Sequence, residues 1–67
     1  MLLRFIGADG SRGLRRGQVY NVGLHSDVYF IWAHVRVSWI NEIRCPYETP
    51  QAFAKNWEAS YDNRRIY

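Results

Sequence analysis

Residues 29–40 read Tyr29-Phe30-Ile31-Trp32-Ala33-His34-Val35-Arg36-Val37-Ser38-Trp39-Ile40, a stretch without a glycine, a proline or an acidic side chain. Every odd-numbered side chain in it is apolar, whereas the even-numbered ones are apolar at both ends and polar in the middle. This pattern predicts one long β-strand with a continuous core face. At about 3.3 Å per residue the strand would span on the order of 40 Å, so it must bend across a small barrel or break into a hairpin near Ala33 and His34.

The size and composition of the chain place it among small, core-rich domains. With 67 residues it is one domain near the lower limit for folding without disulfides or metals, and 48% of its residues are apolar. Cys45 is the only cysteine, which excludes an internal disulfide and a cysteine-based metal cage and favours a reducing cytoplasm. The apolar run at residues 1–3 is too short for a signal peptide or a membrane span. We therefore expect a soluble cytoplasmic protein that engages no membrane.

The positive charge is unevenly distributed. The formal net charge is +3, and the excess of arginine is concentrated in the segment 7–17 and in the last six residues. Segment 7–17 also holds four glycines and has no hydrophobic period, so it is predicted to be a long loop pinned midway by Leu14. Its glycine spacing matches neither the dinucleotide fingerprint nor the P-loop, which leaves a flexible connection as the simpler interpretation.

Three further segments are predicted to be strands: residues 1–6, an apolar run that only Arg4 interrupts; residues 18–24, which alternate with Tyr20, Val22 and Leu24 on one face; and the short segment 43–47. His25-Ser26-Asp27 is the expected turn into the long central strand. Pro46 indicates that the strand 43–47 ends there or lies at a sheet edge, because proline cannot donate to the ladder.

The dipeptide Thr49-Pro50 predicts the start of a short helix, with a capping hydroxyl followed by proline at the first helical position. Phe53 and Trp57 are four residues apart and would share the buried face of this helix. Together with Tyr20 and Trp39 they are the expected aromatic core. Residues 59–61 would close the domain as a last strand.

This order of elements predicts a mostly β fold, a small five-stranded barrel of the Src-homology-3 kind with one short C-terminal helix. The domain would cover residues 1–61, and residues 62–67 would form a flexible basic tail.

The chain also shows a resemblance to a group of small proteins. Four motifs carry it: Gly13-Leu14-x-x-Gly17-x-x-Tyr20-x-Val22, Ile31-Trp32, Cys45-Pro46-Tyr47-x-Thr49 and Phe53-x-x-Asn56-Trp57. With these motifs the chain resembles small uncharacterised proteins encoded by bacteriophages and prophages of Gram-positive bacteria, over residues 2–58. The resemblance implies a Src-homology-3-like fold and a phage origin. It transfers no catalytic or ligand-binding residue, because the shared positions are glycines, core aromatics and a helix cap.

The sequence contains no catalytic signature, and we expect the protein not to be an enzyme. Cys45 with His25 or His34 is the only nucleophilic pair available, and a cysteine before proline on a short strand is more typically a buried small side chain. Two histidines nine residues apart and one cysteine fit no zinc pattern. No metal or cofactor is therefore expected.

Function is expected to depend on two surfaces. One is the arginine loop, with Arg12, Arg15 and Arg16; the other is the mixed face of the central strand, with the residues Phe30, Trp32, His34 and Arg36. The alternative for the two aromatics is that the helix or the long loop covers them.

These residue types fit a phage-type interaction module that binds a host or phage protein as a monomer or homodimer, and that could inhibit a host system. The alternative is a nucleic-acid-binding protein, with arginines on phosphates and aromatics on bases.

Overall fold

The computed structural model describes residues 1–60. It has five strands, one short α-helix and a 3₁₀ turn at Ser11–Gly13: β1 (Leu2–Phe5), β2 (Val19–Ser26), β3 (Ile31–Arg36), β4 (Glu42–Tyr47), α1 (Pro50–Ala54) and β5 (Trp57–Ala59). All strand pairs are antiparallel, in one sheet of order β4-β3-β2-β1-β5. The prediction of a mostly β fold with one short helix is confirmed. Within the described residues the sheet is not closed, and β4 and β5 form its two edges.

The central strand is shorter than predicted. The strand β3 begins at Ile31 and ends at Arg36, and residues 37–41 form the turn into β4. The turn forms because the Ser38 hydroxyl accepts the backbone N–H groups of Ile40 and Asn41, at 3.4 and 3.1 Å. A serine side chain that bonds its own backbone in this way competes with the strand ladder. Both alternatives for the run 29–40, one long strand and a break at Ala33-His34, are therefore wrong.

The core lies on one face of the sheet. Val22 faces Val35 across β2 and β3, Ala33 faces Cys45 across β3 and β4, and all four side chains are buried. The other buried apolar residues are Leu3, Phe5, Leu14 and Trp57. Of the predicted aromatic core, only Trp57 is buried, while Tyr20 and Phe53 are half-buried at its margin. Trp39 is 84% exposed, so its assignment to the core is wrong.

The predicted start of the helix is confirmed, but the helix ends before it reaches Trp57. The Thr49 hydroxyl accepts the N–H of Ala52 at 3.0 Å, which caps α1 as predicted. The helix ends at Ala54, so Trp57 belongs to β5 and does not share a helical face with Phe53. Both rings instead reach Tyr47: Phe53 packs edge-on at 5.6 Å between centroids, and the Trp57 indole N–H donates to the phenol oxygen at 2.9 Å.

The last strand begins two residues earlier than predicted, because Trp57 pairs with Phe5 on β1 and the chain has left the helix by then. The domain boundary at residue 61 and the tail 62–67 lie outside the described residues.

The loop between β1 and β2, residues 6–18, lies over the core and is held at several points. Leu14 is buried, and its carbonyl accepts the N–H of Gly10 at 2.7 Å. The Asp9 carboxylate accepts the N–H of Arg16 at 2.9 Å. Arg12 has φ 53°, a left-handed conformation that is uncommon for a residue with a side chain. Its backbone is therefore placed by the packing of the loop and not by local preference.

Candidate functional site: the outer face of the sheet

The side chains of Trp32, His34 and Arg36 leave β3 on the face opposite the core, because they alternate with Ile31, Ala33 and Val35 along the strand. We call this side of the three-stranded half of the sheet the outer face. The residues of β2 and β4 that pair with these three in the register lie on the same face. The outer face therefore consists of Asn21, Gly23 and His25 on β2, Trp32, His34 and Arg36 on β3, and Glu42, Arg44 and Pro46 on β4.

The loop 6–18 and α1 both lie on the core side. Leu14 of the loop is part of the core, and Phe53 of α1 packs on Tyr47, which faces the core. Burial raises the pKa of the Tyr47 phenol, and the nearby Arg12 guanidinium opposes this rise. Neither element of the described chain therefore covers Phe30 and Trp32, and this answers the question that the sequence left open.

The two predicted surfaces are not brought together. Arg12, Arg15 and Arg16 are exposed, as predicted, but they lie on the core side of the sheet. There the N–H of Arg15 donates to the Tyr20 phenol at 2.9 Å. The strand-face residues lie on the other side. The structure thus contains two separate surfaces, with the loop arginines on the core side and the candidate residues of β3 on the outer face.

At one end of the outer face two aromatic rings form a fixed pair. Phe30 and Trp32 meet edge to face with 5.6 Å between centroids, and both are half-buried. The Trp32 indole N–H donates to one oxygen of Asp27 at 2.8 Å, and the other oxygen accepts the N–H groups of Tyr29 and Phe30 at 2.8 and 2.7 Å. These three hydrogen bonds, the one from Trp32 foremost, lower the pKa of Asp27. The carboxylate thereby locks the orientation of the indole.

The middle of the outer face is polar and open. His34 lies between Gly23 and Arg44 in the register, and no atom of residues 1–60 comes within 4 Å of the place that a Cβ would take at Gly23. The rings of His25 and His34 are 5.7 Å apart, and Nδ1 of His34 is 3.9 Å from a carboxylate oxygen of Glu42. The missing side chain at Gly23 leaves a gap beside the imidazoles into which a flat group of a partner could enter.

Two arginines lie on the outer face: Arg44 in its middle, and Arg36 at its far end, where Glu42 is the register partner of Arg36. One guanidinium nitrogen of Arg36 donates to the carbonyl of Trp39 at 3.1 Å. Within residues 1–60, neither Arg36 nor Arg44 has a carboxylate within ion-pair distance, whereas Arg4 pairs with Glu58 at 3.6 Å. Two arginines are therefore available to an anionic group of a partner.

Sequence reasoning missed a set of exposed apolar residues at the two turns that flank β3: Val28 and Tyr29 before it, and Val37, Trp39 and Ile40 after it. The available signal was Ser38 with Asn41, two turn formers that bracket Trp39 and Ile40. The strict alternation of apolar residues concealed it.

The structure does not assemble a nucleophilic or metal site from the candidate residues. The Cys45 thiol is buried in the core and burial raises its pKa, while His25 and His34 lie on the outer face. Residues 1–60 contain no group of three or more His, Cys, Asp or Glu side chains that could hold a metal ion. No helix in this part of the chain is long and apolar enough to cross a bilayer.

Comparison of the chain with models of protein families, with curated proteins and with solved structures finds no match in any of the three.

Proposed function

We propose that this chain is a non-enzymatic interaction module that binds a host or phage protein through the outer face of its sheet. The observation that carries the proposal is a sheet face on which a fixed Phe30–Trp32 pair lies beside Arg36 and Arg44, two cations without an ion pair inside residues 1–60. Tryptophan and arginine are the residues that most often dominate the binding energy of protein interfaces. Because Asp27 already holds the indole in place, little side-chain entropy is lost on binding.

The expected partner presents an acidic patch beside an aliphatic or aromatic contact. Arg36 and Arg44 would pair with its carboxylates, and Trp32 would receive its apolar side chain. A phage origin, a cytoplasmic location in the bacterial host and inhibition of a host system complete the proposal. The order of elements, with a long loop after the first strand and a helical turn before the last, supports a Src-homology-3-like barrel as its scaffold.

Nucleic acid is the second candidate, and the open gap at Gly23 beside His34 favours it, since a base could lie flat there. Glu42 argues against it, because its carboxylate lies on the outer face opposite Arg36 and would repel phosphates. The formal net charge of only +3 also argues against it. Protein is therefore the favoured partner.

The test is an affinity pull-down of the tagged protein from lysate of its bacterial host, with and without nuclease. The variant Arg36→Ala/Arg44→Ala removes two charges from the outer face, and the control Arg15→Ala/Arg16→Ala removes two charges from the opposite side. We expect a protein retained after nuclease treatment, with affinity reduced roughly tenfold or more by the first variant and little by the control.

Equal losses of affinity in the two variants would show that binding depends on net charge and not on the outer face. Complete loss of bound material after nuclease treatment would identify the partner as nucleic acid and not as a protein.

A further inference from the structure

We propose that the outer face binds a carboxylate group of its partner between the imidazole rings of His25 and His34, and that one ring takes up a proton from the solvent when it does so. The inference rests on the proposed function, which supplies the acidic partner. It adds to the site His25, a residue of β2 that the sequence predicted in a turn, and it makes the affinity for the partner depend on pH.

His34 is the central residue of the outer face. It pairs with Gly23 on β2 and with Arg44 on β4, and it is half-buried, whereas His25 is exposed. Because His25 follows Gly23 by two residues on the same strand, it lies diagonal to His34 on the same face, and the two ring centroids are 5.7 Å apart. Both imidazoles therefore border the place of the missing side chain at Gly23.

The gap at Gly23 has room for a small flat group. Within residues 1–60, a Cβ built at this glycine would meet no other atom inside 4 Å. The register pairs of β1 with β2 end at Asn21, so the ladder of β1 does not continue beside Gly23. A carboxylate that enters the gap from the solvent would therefore be flanked by the two imidazoles.

The nitrogens of the two rings are available to such a group. One carboxylate oxygen of Glu42 lies 3.9 Å from Nδ1 of His34, which is too long for a hydrogen bond. Among the described residues, neither His25 nor His34 makes a hydrogen bond through its ring. A carboxylate of the partner could therefore accept a hydrogen bond from each imidazole, and hydrogen bonds that involve an ionised group are the stronger ones.

The net charge of the outer face depends on the two imidazoles. The other charged side chains on or beside this face balance in number: Arg36 and Arg44 against Asp27 and Glu42. The carboxylate of Asp27 interacts electrostatically with His25, and that of Glu42 lies beside His34. Because histidine is the side chain that ordinarily gains its charge between pH 8 and 5, the face becomes positive as pH falls through this range.

The direction of the pH dependence follows from linkage between the two binding events. A carboxylate beside an imidazole favours the protonated form of the ring. Binding therefore takes up a proton, so the affinity rises as pH falls and levels off once the rings are already charged in the free protein. At about pH 4 the carboxylate itself becomes protonated, and the affinity falls again.

Titration of the full chain with acetate, followed by the NMR signals of the backbone amides of β2 and β3, tests the proposal at constant ionic strength. Acetate is a single carboxylate that stays ionised between about pH 6 and 8, and acetamide is its uncharged counterpart of nearly the same shape. We expect acetate to bind about tenfold more tightly at about pH 6 than at about pH 8. Acetamide should bind at neither pH.

Three variants locate the binding. Gly23→Val fills the gap and leaves every charge in place, and no backbone strain is expected because Gly23 is not among the glycines with positive φ. His25→Gln/His34→Gln removes both imidazoles, and Arg15→Ala/Arg16→Ala is the control on the core side. At about pH 6 each of the first two should weaken acetate binding about fivefold or more, and the control should leave it unchanged.

Acetate binding that is equal at the two pH values, that acetamide matches, or that Gly23→Val leaves unchanged would overturn the proposal. Inorganic phosphate that binds about tenfold more tightly than acetate at about pH 6, where both carry one negative charge, would also overturn it, because the site would then take a phosphate group.

The pull-down and the titration can fail separately. A captured protein that Arg36→Ala/Arg44→Ala releases, together with acetate binding that ignores pH, overturns this inference and leaves the proposed function standing. Acetate binding that strengthens as pH falls and is lost in Gly23→Val supports the carboxylate site, even where the pull-down retains no protein and thereby overturns the proposed partner.

Discussion

The turns at the two ends of β3 resemble each other in what they expose and differ in how they are held. Each presents apolar side chains to solvent, and each has backbone N–H groups bonded to one side chain at its base, Asp27 in one and Ser38 in the other. Asp27 also accepts from the Trp32 indole, which ties its turn to the outer face. Among the described residues, the Ser38 hydroxyl bonds only within its own turn.

We expect this difference to separate residues that hold the fold from residues that contact a partner. A change at Asp27 should alter the fold of the hairpin and the orientation of Trp32 together. A change at Trp39 should leave the fold alone and act only on what the molecule binds. The four predictions that follow test this expectation. The effect of a core substitution on the free energy of unfolding is the reference for the other three.

Trp57→Ala gives the largest expected effect. The ring is buried, packs edge-on against Phe5 at 5.1 Å, and donates its N–H to Tyr47. Its removal should lower the free energy of unfolding by roughly 3–5 kcal/mol, since a large cavity is left in a small core. Urea denaturation followed by circular dichroism measures the loss. An unchanged unfolding midpoint would show that Trp57 does not belong to the core.

Asp27→Ala comes next. The substitution removes the acceptor of three N–H groups, including the indole of Trp32, whereas Ser38→Ala removes an acceptor of two longer bonds. We expect Asp27→Ala to lower the urea midpoint more than Ser38→Ala does. The NMR signal of the Trp32 indole N–H should move in the first variant only. Equal destabilisation by the two substitutions would show that Asp27 and Ser38 stabilise their turns to the same extent.

The pH dependence of stability sharpens the comparison further. The pKa of Asp27 is lowered in the folded state, so its stabilising effect is complete above the unfolded value of about 4 and is lost as pH falls through the lower folded value. Urea midpoints measured between neutral pH and about pH 3 should therefore fall less in Asp27→Asn than in the unchanged protein. The same loss in both proteins would place the acid sensitivity elsewhere in the chain.

Trp39→Ala should have the smallest effect on stability. Because the indole is in water and the turn is held by Ser38, the free energy of unfolding should change by no more than about 0.5 kcal/mol. The same denaturation experiment decides this. A loss near that of Trp57→Ala would mean that Trp39 packs against the domain.

Much of the fold could be predicted because local chemistry agreed with the global structure. The Thr49-Pro50 start of α1, the strands around Val22 and Cys45, and the buried Leu14 all follow from patterns that packing reinforces. The end of the central strand could not be predicted from periodicity. Val37 and Trp39 continue the apolar alternation of Ala33 and Val35, and only the hydrogen bonds of the turn stop the strand.

The sequence predicted which candidate residues share a face of β3, but it did not predict that the loop arginines lie on the opposite side of the sheet. Alternation placed Trp32, His34 and Arg36 together on one face, and β3 keeps them so. No sequence pattern, however, indicates on which side of the sheet a thirteen-residue loop will fold. The arginines of that loop lie opposite the strand face because Leu14 between them is drawn into the core.

The most direct test of the difference between the two turns is the rate at which the indole N–H groups of Trp32 and Trp39 exchange with solvent, followed by NMR. The Trp32 indole donates to Asp27, whereas Trp39 is 84% exposed. The account predicts slower exchange for Trp32 than for Trp39 in the unchanged protein, and loss of that difference in Asp27→Ala but not in Ser38→Ala. Equal exchange rates of the two indoles in the unchanged protein would contradict it.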